Sequence, residues 1–453
     1  MEEDISNKVI HSAYLERSYV KEQIEVLKKV ADEAKAKIDE RLVKNEEVQK
    51  SIRTVEAFLR KSGRICYGGQ AINANLPQDL KFYKKNRELP DYDFFTPNVD
   101  KDVQDIIRML KKEGFTDIHE KQGVHEGTRK ILVNFNAIAD ITYLEPNLYH
   151  HFYENTVLFA GIRYAGPDLL RMMMYLELSR PAGQVERWPK VYERLLLLNH
   201  SHPMRLCNDH KIPKKTINPF YRQKIIDYII QEKYILAGAE VGFVYRKHEE
   251  ADAEMDWILR SGGTILFFSS DFDKDTEAIK DILGRKGVRV EDRKGTINVI
   301  PDRRLIRKGK QLVVYMIGQE ACNSYNSLDL KEAGHIRIAS IDTLITLYLQ
   351  MGLLTEDEKI LGIPILCLAQ RFIQLANKLR TGTKFPSFSI KCSGHQTTFQ
   401  SLLRERDKKH KKKTIKKQKP RKTFKKRPLL KRSTRKQTQK NEAPVVPEGE
   451  QND

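Results

Sequence analysis

Two aspartates separated by one residue, Asp91 and Asp93, have the types and spacing of residues that do chemistry. They lie in Pro90-Asp-Tyr-Asp-Phe-Phe95, where the aromatic residues favour a strand. Side chains at positions i and i+2 of a strand point to the same face of a sheet. The spacing therefore predicts two carboxylates on one face, an arrangement that can hold divalent metal ions.

Two further motifs extend this prediction to a nucleoside triphosphate. Gly68 and Gly69 end the apolar stretch Ile65-Cys-Tyr67 and open a predicted helix, whose first N–H groups are free to bind phosphate. A third acid, Asp140, lies in the β-favouring residues 130–143. Each motif alone has a simpler interpretation, a turn for the glycines and a loop or cap for the acids. The order strand, Gly-Gly, helix, D-x-D strand, helix and Asp strand favours metal-assisted phosphate chemistry.

The elements that must position these residues follow from periodicity. Apolar residues at alternating spacings of three and four predict helices over residues 12–60, with a break near Lys44-Asn45. We expect these helices to pack along the catalytic domain, and a dimer-forming coiled coil is the alternative. Residues 61–145 form the predicted α/β module, with a helix near 101–112, and helices dominate residues 167–199. There a basic stripe occupies i, i+3 and i+7, as either a phosphate clamp or a solvated face: Arg187, Lys190 and Arg194.

A second predicted α/β unit covers residues 215–390. We expect strands at 234–236, 264–268, 288–290, 296–300 and 311–317, and helices near 274–284 and 341–350. This unit contains a similar-looking motif, Gly262-Gly263 followed by Asp271-Phe-Asp273, but too few residues separate the glycines from the acids to form a helix. We therefore predict that the acids at 271, 273 and 275 begin a helix and complement its dipole.

The net charge of +20 is concentrated at one end of the chain. Residues 404–440 contain 20 Lys/Arg against two acids, whereas residues 1–403 together carry only +6. So few apolar side chains predict a disordered tail, which would bind nucleic acid through phosphates or act as a localisation signal. If it tethers RNA, removing it should weaken RNA binding and make that binding less sensitive to salt.

Cysteine spacing and hydropathy predict the cellular environment of the protein. The five cysteines are scattered and show no C-x-x-C spacing, which predicts neither a disulfide framework nor a zinc site and favours a reducing compartment. No signal peptide and no apolar run long enough to span a bilayer is evident, so we expect a soluble intracellular protein without membrane contact.

The motifs together resemble the nucleotidyltransferase fold of the DNA polymerase β superfamily. Tyr67-Gly-Gly-Gln-Ala-Ile-Asn73, Pro90–Phe95, Ala139-Asp-Ile-Thr142 and two stretches between Leu176 and Leu195 resemble the catalytic poly(A) polymerase of large nucleocytoplasmic DNA viruses, the giant-virus branch in particular. The resemblance covers about residues 55–200. It implies an α/β (α+β) fold with a long N-terminal helix, a catalytic nucleotidyltransferase domain with following helices, and a second, degenerate nucleotidyltransferase-like domain. The corresponding domain boundaries are 1–60, 61–210, 211–395 and a tail at 396–453.

The resemblance also implies an activity and its residues. Asp91, Asp93 and Asp140 would bind two Mg²⁺ or Mn²⁺ ions and transfer AMP from ATP to an RNA 3′ end. The phosphates would be held by Gly68, Gly69, Gln70, Arg187 and Lys190. Gln70 departs from the serine that many nucleotidyltransferases have there, although its amide can also donate to phosphate.

Partners and rival functions remain open. The resemblance implies a location in the host cytoplasm or virion, and a second copy or a processivity subunit is a possible partner. The rival functions are a uridylyl- or CCA-adding enzyme, an oligoadenylate synthase, and a non-catalytic RNA-binding subunit.

Overall fold

Two mixed β-sheets, each flanked by helices, make up the computed structural model. It describes residues 18–83, 90–123, 127–204, 216–246, 263–296, 299–330, 334–380 and 388–396, all within one unit of residues 1–402. The predicted basic tail at 404–440 lies outside the described residues. The predicted domain boundaries at 60 and 210 stay predictions, because both fall within this unit.

Two helices precede the first sheet, α1 (Ser18–Val43) and α2 (Glu46–Ser62). The predicted break near Lys44-Asn45 is confirmed: the Asn45 side chain caps α2 by accepting a hydrogen bond from the Val48 N–H at 3.1 Å. Helix α2 buries the face that includes Val48, Val55 and Leu59. The expectation that both helices pack along the catalytic domain is wrong for α1, whose apolar residues are largely exposed: Val26, Leu27, Val30 and Ile38.

The first sheet has the strand order β3-β4-β5-β2-β1-β7-β6. Its elements in chain order are β1 (Ile65–Tyr67), α3 (Gly68–Asn75), β2 (Tyr92–Thr96), α4 (Val99–Lys112), β3 (Ile118–Gln122), β4 (Thr128–Val133), β5 (Asn136–Tyr143), α5 (Pro146–Glu154), β6 (Thr156–Phe159) and β7 (Ile162–Ala165). Two helices follow, α6 (Pro167–Leu178) and α7 (Trp188–Ser201), with a short 3₁₀ turn at Val185–Arg187 between them.

The second sheet has the order β10-β11-β12-β9-β8-β14-β13-β15. Its elements are α8 (Pro219–Gln231), β8 (Ile235–Leu236), α9 (Val241–Arg246), β9 (Ile265–Ser269), α10 (Phe272–Leu283), β10 (Val288–Arg293), β11 (Arg303–Lys308), β12 (Gln311–Gly318), β13 (Asn323–Leu330), β14 (Gly334–Ala339), α11 (Ile341–Leu354), α12 (Asp357–Leu361), α13 (Ile365–Leu379) and β15 (Cys392–Ser393).

The two sheets repeat one topology. In the first, β1 pairs antiparallel with β2 and parallel with β7, while β2 pairs parallel with β5. In the second, β8 pairs antiparallel with β9 and parallel with β14, while β9 pairs parallel with β12. The remaining antiparallel pairs, β3–β4–β5 and β10–β11–β12, also correspond. The second half of the chain therefore repeats the topology of the first sheet, with β15 added at its edge.

Helices α6 and α11 join the two halves through a shared apolar core. Polar contacts cross the junction: the Ser324 N–H donates to the Ser179 carbonyl at 2.9 Å, and Arg380, which donates to the buried Asp342 carboxylate at 2.5 Å, lies 5.4 Å from the Tyr192 ring centroid. The Arg380 guanidinium also lies 3.8 Å from the Phe388 ring centroid. Buried packing of this kind fixes how one sheet sits against the other.

Several secondary-structure predictions need correction. The expected strand at 296–300 is wrong: Thr296 and Ile300 instead pair with each other across a tight turn. Strands β11, β13 and β14 are not predicted from the sequence, because they are rich in charged and polar residues and lack the apolar pattern of a buried strand. No helix among the described residues combines the length and apolarity needed to cross a membrane.

The cysteine prediction is also wrong. Cys322 and Cys392 form a disulfide with their Cα atoms 5.2 Å apart, and Cys367 is disulfide-bonded as well. The pairing of β13 with β15 places Ser324 opposite Cys392, so residues far apart in sequence become neighbours. Cys66 is buried and free. The cysteine pattern therefore no longer supports a reducing compartment.

Candidate active site

Four side chains form a row across the first sheet. Asp93 on β2 and Asp140 on β5 are direct partners in a parallel pair. Tyr67 at the end of β1 is opposite Asp93, and Lys130 on β4 is opposite Asp140. Residues directly opposite each other in a sheet lie on the same face. The two predicted acids are therefore neighbours, with an aromatic residue on one side and a lysine on the other.

Lys130 is a site residue that the sequence does not single out. Its Nζ lies 2.9 Å from Oδ1 of Asp140, and both side chains are largely shielded from solvent. A register shift between Ile131 and Leu132 brings the two residues together. Without that bulge, regular pairing from the hairpin turn would put Arg129 opposite Asp140. The sequence shows a lysine in the preceding strand, but the bulge that selects it has no clear sequence signal.

The third predicted acid completes a negatively charged cluster. Asp91 immediately precedes β2, and partial removal from water together with the Asp140 charge raises its pKa, while Lys130 opposes the rise. Burial and the charges of Asp91 and Asp140 raise the pKa of Asp93 to about 8, against lowering influences from Lys130 and Arg187. Burial disfavours the charge on Lys130, but its bond to Asp140 and the charges of the three acids outweigh this and raise its pKa. Burial and the proximity of the three acids therefore favour the protonated form of Asp93 when no divalent ion is bound.

The raised pKa of Asp93 predicts that the stability of the folded protein depends on pH. A carboxyl with a folded pKa of about 8, above the unfolded value of about 3.9, binds protons better in the folded state. The free energy of unfolding should then fall as pH rises from about 4 to about 8 in the absence of divalent ions. Thermal melting in EDTA at pH 5, 6.5 and 8 tests this, with Asp93→Asn as the comparison. The variant should melt at least about 2 °C above the parent at pH 8. Parallel pH curves for the two proteins would contradict it.

Gly68 and Gly69 are packed too closely for any side chain. Gly68 has a φ of 68°, and an added Cβ would overlap the Asp93 carboxylate. A Cβ on Gly69 would lie 2.6 Å from Oη of Tyr83 and 2.9 Å from Nη1 of Arg194. Helix α3 begins at Gly68, and the preceding Tyr67 side chain makes no capping hydrogen bond. The first-turn N–H groups of α3, including that of Gln70, therefore open beside the acids, where they can bind phosphate oxygens.

The predicted basic stripe is only partly assembled at the site. Arg194 of α7 donates to Tyr83 Oη at 2.8 Å beside Gly69. Arg187 is exposed, lies 3.4 Å from Glu177 and contributes a favourable charge at Asp93. Lys190 is exposed in the first turn of α7. Arg194 is thus the stripe residue nearest the glycines.

A chain of side-chain hydrogen bonds runs across the first sheet next to the row of Asp93 and Asp140. Tyr67 Oη is 2.8 Å from Oγ1 of Thr142, which is 2.9 Å from Oγ1 of Thr128. The Tyr67 ring stacks on Phe95 with centroids 4.0 Å apart. These contacts connect β1 to β2, β5 and β4 at positions two residues along those three strands from Asp93, Asp140 and Lys130. They restrict the movement of the strands that carry the carboxylates.

The acid cluster suits hard divalent cations, although no group of three metal-binding side chains is gathered among the residues described. The donors are all carboxylate oxygens, which Mg²⁺ and Mn²⁺ prefer, and two come from directly paired strand positions. Lys130 meanwhile holds Asp140 by an ion pair. The residues therefore fit divalent ions, with the Lys130 ammonium acting as the counter-charge.

Removing that counter-charge should make the site bind metal more tightly. In Lys130→Met, the acids lose their nearest cation, so the metal-free protein should melt at a lower temperature and gain more from added Mn²⁺. The midpoint of the Mn²⁺-dependent melting shift should fall about fivefold. Lys130→Arg keeps the charge and is the control. Equal midpoints for the Lys130→Met variant and the parent would refute this role.

The second sheet lacks the corresponding chemistry. The strands that match β2 and β5, namely β9 and β12, contain no acidic residue. The loop after β8 contains Glu240, whose buried carboxylate pairs with Arg222 at 3.2 Å and lies against Gly238. An internal carboxylate thus occupies the place that corresponds to the phosphate loop of the first sheet.

The similar-looking acids at the start of α10 are structural, as the sequence predicts. The Asp271 side chain accepts hydrogen bonds from the N–H groups of Asp273 and Lys274, both at 3.1 Å. Asp275 is buried and accepts hydrogen bonds from Tyr228 and Tyr234. The predicted N-cap is therefore confirmed.

Comparison with known proteins agrees with this geometry. Residues 53–184 match the family model described as the poly(A) polymerase catalytic subunit. Two similar proteins are described as "Putative poly(A) polymerase catalytic subunit". The one from Acanthamoeba polyphaga mimivirus is 25% identical over 226 residues, covering 47% of this chain and 38% of that protein. The one from African swine fever virus (strain Badajoz 1971 Vero-adapted) is 23% identical over 210 residues, covering 45% and 42%. The matches thus span about two fifths of these relatives.

A solved structure extends the likeness to the fold. The crystal structure of the Megavirus polyadenylate synthase superposes with a TM-score of 0.71 at 18% identity, covering 88% of this chain and 85% of that one. The predicted α+β fold and the resemblance to viral poly(A) polymerases are both confirmed.

Proposed function

We propose that this chain is a template-independent polynucleotide adenylyltransferase, which adds AMP from ATP to RNA 3′ ends in mRNA polyadenylation. The observation that carries the proposal is the direct pairing of Asp93 with Asp140 beside a glycine-opened helix. This arrangement lies within the residues that match the poly(A) polymerase catalytic family model. The degenerate second sheet leaves the first sheet as the catalytic one.

The acids would hold the metal ions of the reaction. Asp91, Asp93 and Asp140 would hold two Mg²⁺ or Mn²⁺ ions. Such ions, when bound, neutralise triphosphate charge and lower the pKa of the primer 3′-hydroxyl. Tyr67, Thr142 and Thr128 would keep the carboxylate-bearing strands in register during the reaction.

The remaining residues would position the triphosphate. First-turn N–H groups of α3, from Gly68 to Gln70, would donate to phosphate oxygens. Arg194 stands beside Gly69, and Arg187 lies within electrostatic reach of Asp93. These two guanidiniums, with Lys190, would stabilise the negative charge on the leaving pyrophosphate.

The transfer itself is an in-line displacement at phosphorus. The primer 3′-oxygen forms a bond to the α-phosphorus of ATP, and the bond from that phosphorus to the α–β bridging oxygen breaks. Pyrophosphate leaves with the bonding electrons, and the hydroxyl proton is lost to water. The protein contributes mainly by positioning and electrostatic stabilisation.

A primer-extension assay tests the proposal. The full chain is incubated with an RNA oligonucleotide, Mg²⁺ or Mn²⁺, and each nucleoside triphosphate in turn. ATP should be incorporated well ahead of UTP, CTP and GTP, an expectation that rests on the family likeness rather than on a base-reading residue. A preference for UTP would indicate a uridylyltransferase. Absence of addition with every nucleotide and metal would favour a non-catalytic RNA-binding subunit.

Partners and location belong to the same proposal. ATP and an RNA 3′ end are the substrates, and a second copy or a processivity subunit is the candidate protein partner. A viral enzyme of this kind would act in the host cytoplasm or the virion. Gel filtration with light scattering, alone and with RNA, would measure the oligomeric state.

A further inference from the structure

Positive charge in the described body of the chain is concentrated in one strand meander of the second sheet. Residues 285–310, which include β10 and β11, contain ten lysines and arginines against three acids. That excess of seven exceeds the net charge of +6 carried by residues 1–403 as a whole. The remainder of the body is therefore close to neutral in net charge.

Five of these ten cations form ion pairs in the fold, and a sixth donates to three backbone carbonyls. Arg285, Arg293, Lys294, Arg303 and Arg304 form ion pairs with acids, and Lys308 donates to backbone carbonyls. Four others form no ion pair with any residue that the structure describes: Lys286, Arg289, Arg307 and Lys310. We call these four residues the basic corner.

The basic corner contains a cross-strand pair of like charges, which is unfavourable for the stability of the sheet. Arg289 and Arg307 are direct partners across the antiparallel pair of β10 and β11. Like charges directly opposite each other destabilise a sheet. The Arg289 guanidinium also donates to the Gly309 carbonyl at 2.6 Å, which holds it near the turn that carries Lys310. Lys286 joins them because the Gly309 N–H donates to the Gly287 carbonyl at 2.9 Å.

The same strands lead from the basic corner toward the catalytic sheet. At their other end, Arg293 and Lys294 line a groove of about 1050 Å³. Gly127 and Tyr143 of the first sheet line the opposite wall. At about 3.3 Å per residue, Arg289 of the basic corner is about 13 Å along β10 from Arg293 in the groove. On the other wall, Gly127 is about 10 Å along the chain from Lys130, which lies beside Asp140. A chain that follows β10 would thus enter the groove near the end of β4 and β5.

We propose that the basic corner binds the phosphate backbone of single-stranded RNA upstream of its 3′ end and directs the chain toward this groove. The proposal rests on the function proposed above and names the surface that holds the primer. The contacts of the basic corner come from guanidinium and ammonium groups, so binding there should be electrostatic and tolerant of sequence. Binding that tolerates any sequence suits such an enzyme, because the RNA next to the 3′ end is transcript sequence at first and oligoadenylate after several additions.

Charge-removing variants of the full chain test the surface. Fluorescence anisotropy with a labelled RNA oligonucleotide, without ATP, gives the Kd at several salt concentrations. Arg289→Gln with Arg307→Gln should weaken binding about tenfold and reduce the salt slope by about 1.4, or about 0.7 for each phosphate that is no longer neutralised. Lys286→Gln with Lys310→Gln avoids the Arg289–Gly309 hydrogen bond and should act in the same direction. The matched control, Lys111→Gln with Lys112→Gln, removes the same charge from exposed positions on α4 and should change the slope much less.

Kinetics separate this proposal from the proposed activity. In the arginine double variant, the KM for RNA should rise while kcat at saturating RNA stays near that of the parent. If the parent protein adds no nucleotide but the variant still loses RNA affinity, the surface is supported and the activity is not. If RNA affinity and salt slope match those of the lysine control, the proposal is overturned, and the basic corner would serve another partner, such as an acidic protein.

Discussion

Replacing Asp93 by alanine is expected to lower the rate of nucleotide addition at least about a thousandfold, a loss of about 4 kcal/mol in transition-state stabilisation. Asp93 is paired directly with Asp140 and feels the charges of both Asp91 and Asp140, so in the proposed site its carboxylate would be a principal metal ligand. No neighbouring side chain can take over this position, because Tyr67 occupies the other side. Asp91→Ala and Asp140→Ala should be similarly severe.

Primer extension with ATP under single-turnover conditions measures this loss. Asp273→Ala is the control, since Asp273 is a highly exposed acid in the first turn of α10 that pairs only with Arg304 among the described residues. It should retain nearly full activity. Melting temperatures establish that each variant is folded, and Asp93→Ala should melt no lower than the parent in EDTA, because it removes a destabilising charge. Substantial extension by folded Asp93→Ala would disprove the metal assignment.

Substitution of Gly68 by alanine should lower kcat about a hundredfold through displacement of Asp93. A Cβ at this position would overlap the Asp93 carboxylate, and a misplacement of about 1 Å in a catalytic group can cost about a hundredfold in rate. The backbone also contributes, because a φ of 68° is strained by about 1 kcal/mol for a residue with a side chain. The variant should therefore lose both activity and some stability.

Gly114→Ala separates these two effects. Gly114 also has a positive φ, of 93°, but nothing lies within 4 Å of an added Cβ. This control should show the loss of stability without the loss of kcat. If both variants keep full activity, the close approach of Gly68 to Asp93 has no catalytic importance, and the glycine would serve only the backbone turn.

The repeated topology gives the second sheet a different role. It has the strand order of the catalytic module, but apolar residues fill β9 and β12, and Glu240 with Arg222 fills the loop after β8. A buried ion pair of this kind stabilises only when both partners are present. The β10–β11 meander of this sheet presents the basic corner.

Local sequence patterns were enough to predict much of the local structure around the site. Strand periodicity predicted Asp91 and Asp93 on one face, and the capping preferences of Asn45 and Asp271 located two helix starts. Glycines before a polar helix start indicated the phosphate loop. These features depend on neighbours within a few residues, so backbone dihedral preferences and side-chain capping are enough to specify them.

The contacts between residues far apart in the sequence follow from the folded arrangement of strands and helices. A single bulge places Lys130, rather than Arg129, opposite Asp140, because a one-residue shift changes every pairing beyond it. The addition of β15 to the second sheet brings Cys392 to Cys322, and the packing of α7 brings Arg194 to Gly69. Such contacts depend on strand register and helix packing summed over many weak interactions, and residue types and spacing alone do not contain that information.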